Sequence, residues 1–173
     1  MARSKVHKVQ HRRRREGKTD YRLRLKLLRS KKPRFVVRKS SNNITCQVIE
    51  YSNRGDNVLA YSDSRELKKL GWKAHAGNIP AAYLTGLLCG TRSKKKKIGE
   101  AVPDMGLYTS TKGSRLYGAL KGALDGGLKI PCSEDIMPSE ERISGKHIQD
   151  KKDIQKNFEA VKKKILTGSR KTP

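Results

Sequence analysis

Few residues of this chain combine the type and the spacing needed for chemistry. His7 and His11 stand four apart and would share one helical face, a metal-ligating spacing. No further ligand lies close to them in sequence, and the neighbouring cations oppose another positive ion. Cys46, Cys89 and Cys132 are too widely separated for a zinc knuckle and read as small buried apolar groups. Glu134, Asp135, Glu140 and Glu141 imitate a paired-carboxylate site. A general acid and a general base need different environments, however, and one polar loop gives all four the same one. The glycines around 118–127 match neither a phosphate-cradling loop of the G-x-x-x-x-G-K-[ST] type nor a G-x-G-x-x-G turn after a strand. No catalytic residue, metal or cofactor is therefore expected. What remains is the chemistry of cations.

The 173 residues carry 41 Lys and Arg against 16 Asp and Glu, a net charge of +25. An ordinary neutral metabolic enzyme is excluded as the default reading, and three cysteines cannot staple a secreted disulfide scaffold. No apolar run approaches the ~18 residues that span a bilayer, and the basic N-terminus lacks the apolar stretch of a signal peptide. A soluble intracellular protein is expected. The charge is also unevenly placed: residues 1–34 hold a net +13, 91–97 a net +5 and 146–173 a net +6, leaving about +1 for everything else. Charge concentrated on extensions suits a polyanion, because each phosphate neutralised releases condensed counterions.

The first extension contains Arg3, Lys5, Lys8, the run Arg12, Arg13, Arg14 and Arg15, then Lys18, Arg22, Arg24, Lys26, Arg29, Lys31, Lys32 and Arg34. Arginine forks onto phosphate and stacks on bases, so this arm, with Tyr21 interleaved, favours structured RNA. Residues 1–16 are too charged to fold without a partner. The second cluster, Arg92 with Lys94, Lys95, Lys96 and Lys97, reads as a loop pinned at both ends. Adjacent like charges repel, so RNA is its expected partner too. Trp72 is open between stacking on an unpaired base and anchoring the core.

Elements must position these cations. Residues 21–30 read as a helix ended before Pro33. FVVRKS, NITCQVIEY and NVLAYSDS, separated by Asn-, Asp- and Gly-rich turns, predict an antiparallel meander. Asp63 and Glu66 are spaced as a capping box, with Gly71 closing the turn, and Asn78 caps a buried helix from Pro80 to about Cys89. KIGEAV predicts a fourth strand, 114–124 a helix and 128–130 a fifth strand. Gly118, Gly122 and Gly126 are expected to admit a strand or sheet closely. Residues 131–149 read as a loop, and 150–166 as an amphipathic helix with Ile154, Phe158, Val161 and Ile165 on one face. The expected fold is α/β, a mixed sheet of about five strands with helices packed on it and basic N-terminal and C-terminal extensions. It divides into an arm at 1–34, a core at 35–130 and a C-terminal segment at 131–173.

The segments HRRRREGKTDYRLRLKLLRS, GWK-x6-PAAYLTGLLCG, VPDMGL and TKGSRLYGALKGALDGGLKIP, in this order, resemble the 5S-rRNA-binding protein family of the large ribosomal subunit, universal large-subunit protein eighteen. The resemblance runs from about Lys5 to Leu166 and is to the archaeal-type form. Cys132 stands where the family is expected to carry histidine. The resemblance implies a non-enzymatic constituent of the cytoplasmic ribosome, located in the central protuberance. Its partners would be 5S rRNA, the large-subunit rRNA and neighbouring ribosomal proteins, including another 5S-binding protein. It also implies RNA contacts at Arg12 to Arg15, Tyr21, Arg22, Arg24 and Arg29, at Lys39, Ser40, Asn42 and Asn43, and at Thr111, Lys112, Gly113, Ser114 and Arg115. A basic RNA-processing enzyme and a peripheral membrane protein are the competing readings; neither a membrane nor a small-molecule substrate is expected.

Overall fold

The computed structural model describes residues 9–148 and 152–168. Arg3, Lys5, Lys8 and His7 lie outside the described residues. In chain order the elements are α1 (Arg12–Arg15), α2 (Tyr21–Leu28), β1 (Arg34–Lys39), β2 (Ile44–Ser52), β3 (Gly55–Asp63), α3 (Glu66–Lys69), α4 (Ile79–Lys95), β4 (Val102–Asp104), α5 (Arg115–Asp125), α6 (Glu140–Ser144) and α7 (Lys152–Leu166). The sheet order is β3-β2-β1-β4, with the first three strands antiparallel and β4 parallel to β1.

Alternation along the strands sends Phe35, Val37, Ile44, Cys46, Val48 and Ala60 to one face, where they pack with Ala82, Leu116, Ala119, Leu120 and Ala123 of α4 and α5. The opposite side of α4 supplies Tyr83, Leu84 and Leu87 to a second core with Leu67, Trp72, Ile154, Phe158, Val161 and Ile165. Being buried between two cores, α4 is apolar nearly all round, as its sequence requires. Its N-terminus is capped by the Asn78 side chain, which accepts from the Ala81 N–H at 2.8 Å. The Glu66 carboxylate reaches back to the Asp63 N–H at 3.0 Å, the capping-box half that the spacing predicts.

The glycine spacing has a different partner from the one expected. A methyl group built on Gly122 would lie 2.0 Å from the Tyr83 carbonyl oxygen, and one on Gly86 would lie 1.9 Å from that of Ala119. Gly90 and Gly126 meet at the same contact. The glycines of α5 therefore admit helix α4, backbone against backbone, and not a strand.

Four other expectations need correction. KIGEAV does not form a strand of its own length: Glu100 makes one isolated bridge to Lys129, and the regular strand is Val102–Asp104. Pro103, with no N–H, suits that edge position. The segment 128–130 contributes only that bridge, so the sheet has four strands and not about five. Residues 131–149 contain a 3-10 turn at Glu134–Ile136 and α6, where a loop was expected. Finally, Arg12–Arg15 form a helical turn inside a stretch expected to be unfolded alone.

Candidate nucleic-acid interface

The arm lies against the face of the sheet that the helices leave open. Asp20 caps α2, its carboxylate accepting from the Arg22 and Leu23 amides at 2.8 and 3.2 Å. Leu23, Arg24 and Leu27 then line a cleft with Arg34, Arg38 and Asp104 of the sheet. Helical spacing puts Arg22, Lys26 and Arg29 on a common, exposed face of α2. With Arg12 to Arg15, also exposed, they form an open cationic surface. Glu16 pairs with Arg12 and Lys18 at 3.3 and 2.9 Å, and Arg13 donates to the Thr19 hydroxyl at 2.9 Å. Arg14 and Arg15 make no ion pair among the described residues.

Beneath this surface a carboxylate network holds the arm in place. Arg34 donates to Asp104 at 2.7 Å and to Asp56 at 2.8 Å, and Arg24 joins Asp56 from α2 at 2.9 Å. Arg38 reaches Asp104 at 3.1 Å, and Lys32 pairs with Glu100 at 2.5 Å. Burial pushes the Asp104 carboxyl up, but Arg38, the Gly106 amide and Arg34 outweigh it and hold the group below the usual carboxylate range. Arg34 is 4% exposed, so its place among the expected RNA contacts is corrected to a structural one. Arg24 and Lys32 have their charge partly engaged before any RNA arrives.

A second patch forms where three separated segments meet. Ser40 and Asn43 close the β1–β2 turn on each other, leaving Asn42 exposed. Gly77 packs against the backbone of Ser41 and Asn42, and Arg115 donates to the Gly77 carbonyl at 2.7 Å. Lys39 lies over the Tyr108 ring at 5.2 Å, and the Tyr108 hydroxyl donates to the Lys39 carbonyl at 2.7 Å. Thr111 and Lys112 are exposed beside them, and Gly113, at φ +66, makes the turn into α5. Ser114 takes the N-cap position without making a side-chain cap. Sequence reasoning missed Arg38, Tyr108 and Gly77. The alternation Arg34, Val36, Arg38 could have flagged the first; long-range contact alone reveals the others.

The third cluster is not a loop. Helix α4 continues through Arg92, Lys94 and Lys95, Lys96 is its C-cap, and Lys97 turns away at φ +59. Cations in a last helical turn face the negative end of the macrodipole, so the fold itself gains from collecting them. Arg92 is held by Glu66 at 2.6 Å and donates to the Tyr61 carbonyl at 2.5 Å; Lys96 donates to the Leu59 carbonyl at 2.6 Å. Lys94, Lys95 and Lys97 remain exposed. Trp72 is 3% exposed, with its indole N–H on the His75 carbonyl at 3.3 Å, and is a core anchor, not a base-stacking platform.

No helix among the described residues is long and apolar enough to cross a membrane. Residues 5–103 and 91–133 match the family described as ribosomal large subunit proteins 60S L5 and 50S L18. The chain is 55% identical over 148 residues to large ribosomal subunit protein uL18 of Korarchaeum cryptofilum, covering 86% of this chain and 76% of that protein. It is 49% identical over 166 residues to the protein of the same name from Methanococcus maripaludis, covering 95% and 86%. The exposed arginine arm, the four-stranded sheet and these matches converge: the chain belongs to the uL18 family of large-subunit ribosomal proteins, in its archaeal-type form.

Proposed function

We propose that this structural, non-enzymatic protein of the large ribosomal subunit binds 5S rRNA and helps anchor it to the large-subunit rRNA in the central protuberance, beside another 5S-binding protein. The observation that carries the reading is the segregation of charge across the arm. Its inward cations, Arg24 and Arg34, are taken by Asp56 and Asp104 of the sheet, while Arg12 to Arg15, Arg22, Lys26 and Arg29 are exposed.

The mechanism follows from that arrangement. The Asp20 cap and the Arg24–Asp56 pair orient α2, so its outward cations reach phosphates from a preset direction and lose less conformational entropy on binding. Lys39, Asn42, Tyr108, Lys112 and Arg115 supply a second surface of different chemistry, with an aromatic ring and a side-chain amide alongside the charge. Two surfaces at a fixed separation on a rigid sheet select an RNA shape, which a polycation tail cannot do.

The test is a competition gel shift over a salt series, 5S rRNA against an equal mass of tRNA. Preference for 5S rRNA persisting near physiological salt is expected. Equal competition, with both complexes dissolving together, would reduce the protein to a generic polycation and overturn the 5S assignment.

A further inference from the structure

Strand β3 lies at an edge of the sheet, and its sequence is hazardous there. Asn57 to Ser62 read NVLAYS, six strand residues that include Val58 and Tyr61 and carry no charge, proline or glycine. Such a segment on an open edge is a template for pairing with another chain. Val58 and Tyr61 add to the hazard, since their side chains are 45% and 41% exposed.

Three of the groups able to receive a further strand are already occupied. The Tyr61 carbonyl accepts from Arg92 at 2.5 Å and the Leu59 carbonyl from Lys96 at 2.6 Å, two positions apart along the same edge. One step further, the Asp63 N–H donates to Glu66 at 3.0 Å. Glu66 also clamps Arg92 through both of its oxygens, at 2.6 and 3.2 Å, so the guard is itself held in place. Lys95 lines the same groove as Val58, Tyr61, Arg92 and Lys96 without bonding the strand.

We infer that Arg92 and Lys96, held by Glu66, are edge guards. They close β3 against strand addition, and the partner they exclude is a second copy of this chain pairing through its own NVLAYS segment. The inference is independent of rRNA binding. It separates the helix-end cluster into two cations that serve the fold and three, Lys94, Lys95 and Lys97, that remain available to a polyanion.

The experiment compares two full-length double variants of equal charge loss, Arg92→Ser with Lys96→Ser and Lys94→Ser with Lys95→Ser, by sedimentation velocity over a concentration series without RNA. The first should raise the weight-average mass to roughly twice the monomer or more as concentration rises; the second should stay monomeric. Adding Val58→Lys to the first should restore the monomer, because a charge on the edge opposes pairing. Should the double variant fold poorly, Lys96→Ser alone, a change at an exposed helix end, carries the test by showing weaker association. In the associated form the Tyr61 amide should exchange more slowly with solvent. A folded guard variant that stays monomeric, association equal in the two double variants, or association untouched by Val58→Lys would overturn the inference.

Discussion

The arm and the C-terminal end of α4 are both dense in cations, yet the fold treats them in opposite ways. In the arm, the acids Asp56, Asp104 and Glu100 take Arg24, Arg34 and Lys32, and the remaining cations point outward. At the end of α4 Glu66 is the one acid in an ion pair with the cluster among the described residues; backbone carbonyls of β3 take Arg92 and Lys96, and the helix dipole favours the rest. The lesson is that charge density does not measure availability. A cation is free for a ligand only after helix ends, strand edges and buried acids have been served.

The contrast depends on α4 being rigidly placed, and the strongest perturbation removes that condition. Gly86→Val would drive side-chain carbons into the Ala119 backbone, where even a first carbon lies 1.9 Å from the oxygen. Overpacking with no flexible neighbour to yield should cost about 3 kcal/mol or more. Denaturant unfolding measures it; a loss under about 1 kcal/mol would mean that α4 and α5 are not in backbone contact.

The next perturbation tests the acids beneath the arm. Asp104→Asn leaves Arg34 buried with half its compensation gone, and breaking such a pair should cost about 3 kcal/mol. The pH dependence has a definite sign. Asp104 and Asp63 both titrate below their ordinary range in the folded state; for Asp63, burial pushes upward and the hydrogen bonds and charge of Arg65 override it. Their stabilisation is complete above the unfolded carboxylate pKa of about 3.9 and is lost as pH falls through the lower folded values. Wild-type stability should therefore drop below about pH 4, and the drop should be shallower in Asp104→Asn. Parallel curves would show that Asp104 contributes nothing to the acid limb.

Local chemistry explains what could be read from the sequence. The Asn78 cap, the reach of Glu66 to Asp63, the strand–turn–strand rhythm of 35–63 and the four buried residues of α7 depend on neighbours a few positions away. The errors arose where the deciding partner is distant. The spacing of Gly118, Gly122 and Gly126 announces a close approach without saying to what. The lysines at 94–97 look like a repelling loop until the helix end beneath them is known. Arg34 cannot be told from its exposed neighbours, because Asp104 lies seventy positions away. The candidate surface was thus legible as composition, and its division into bound and available cations was not.

The arm itself supplies the next perturbation. Arg12 to Arg15 are exposed and none is buried, so replacing all four with serine should leave the unfolding free energy within about 0.5 kcal/mol. If all four meet phosphates, the slope of log affinity for 5S rRNA against log salt should fall by about 3. Measurement of both quantities on one variant separates a binding role from a folding role. A lowered stability with an unchanged slope would move the arm into the same class as Arg34.

The smallest effect is expected at the end of α4, and it sharpens the comparison most. Were all four lysines at 94–97 available, serine substitution would lower the salt slope by up to about 3 to 4. Lys96 is committed to the Leu59 carbonyl, so the triple change Lys94→Ser, Lys95→Ser and Lys97→Ser should lower the slope by about 2 and the change of all four by little more. Lys96→Ser alone should change the slope by less than about 0.5, because its charge already has a backbone partner. A slope that responds to Lys96 as strongly as to Lys95 would mean that RNA draws the lysine off the strand edge. The guard of β3 and the grip on phosphate would then be alternatives in a single side chain, not duties divided among neighbours.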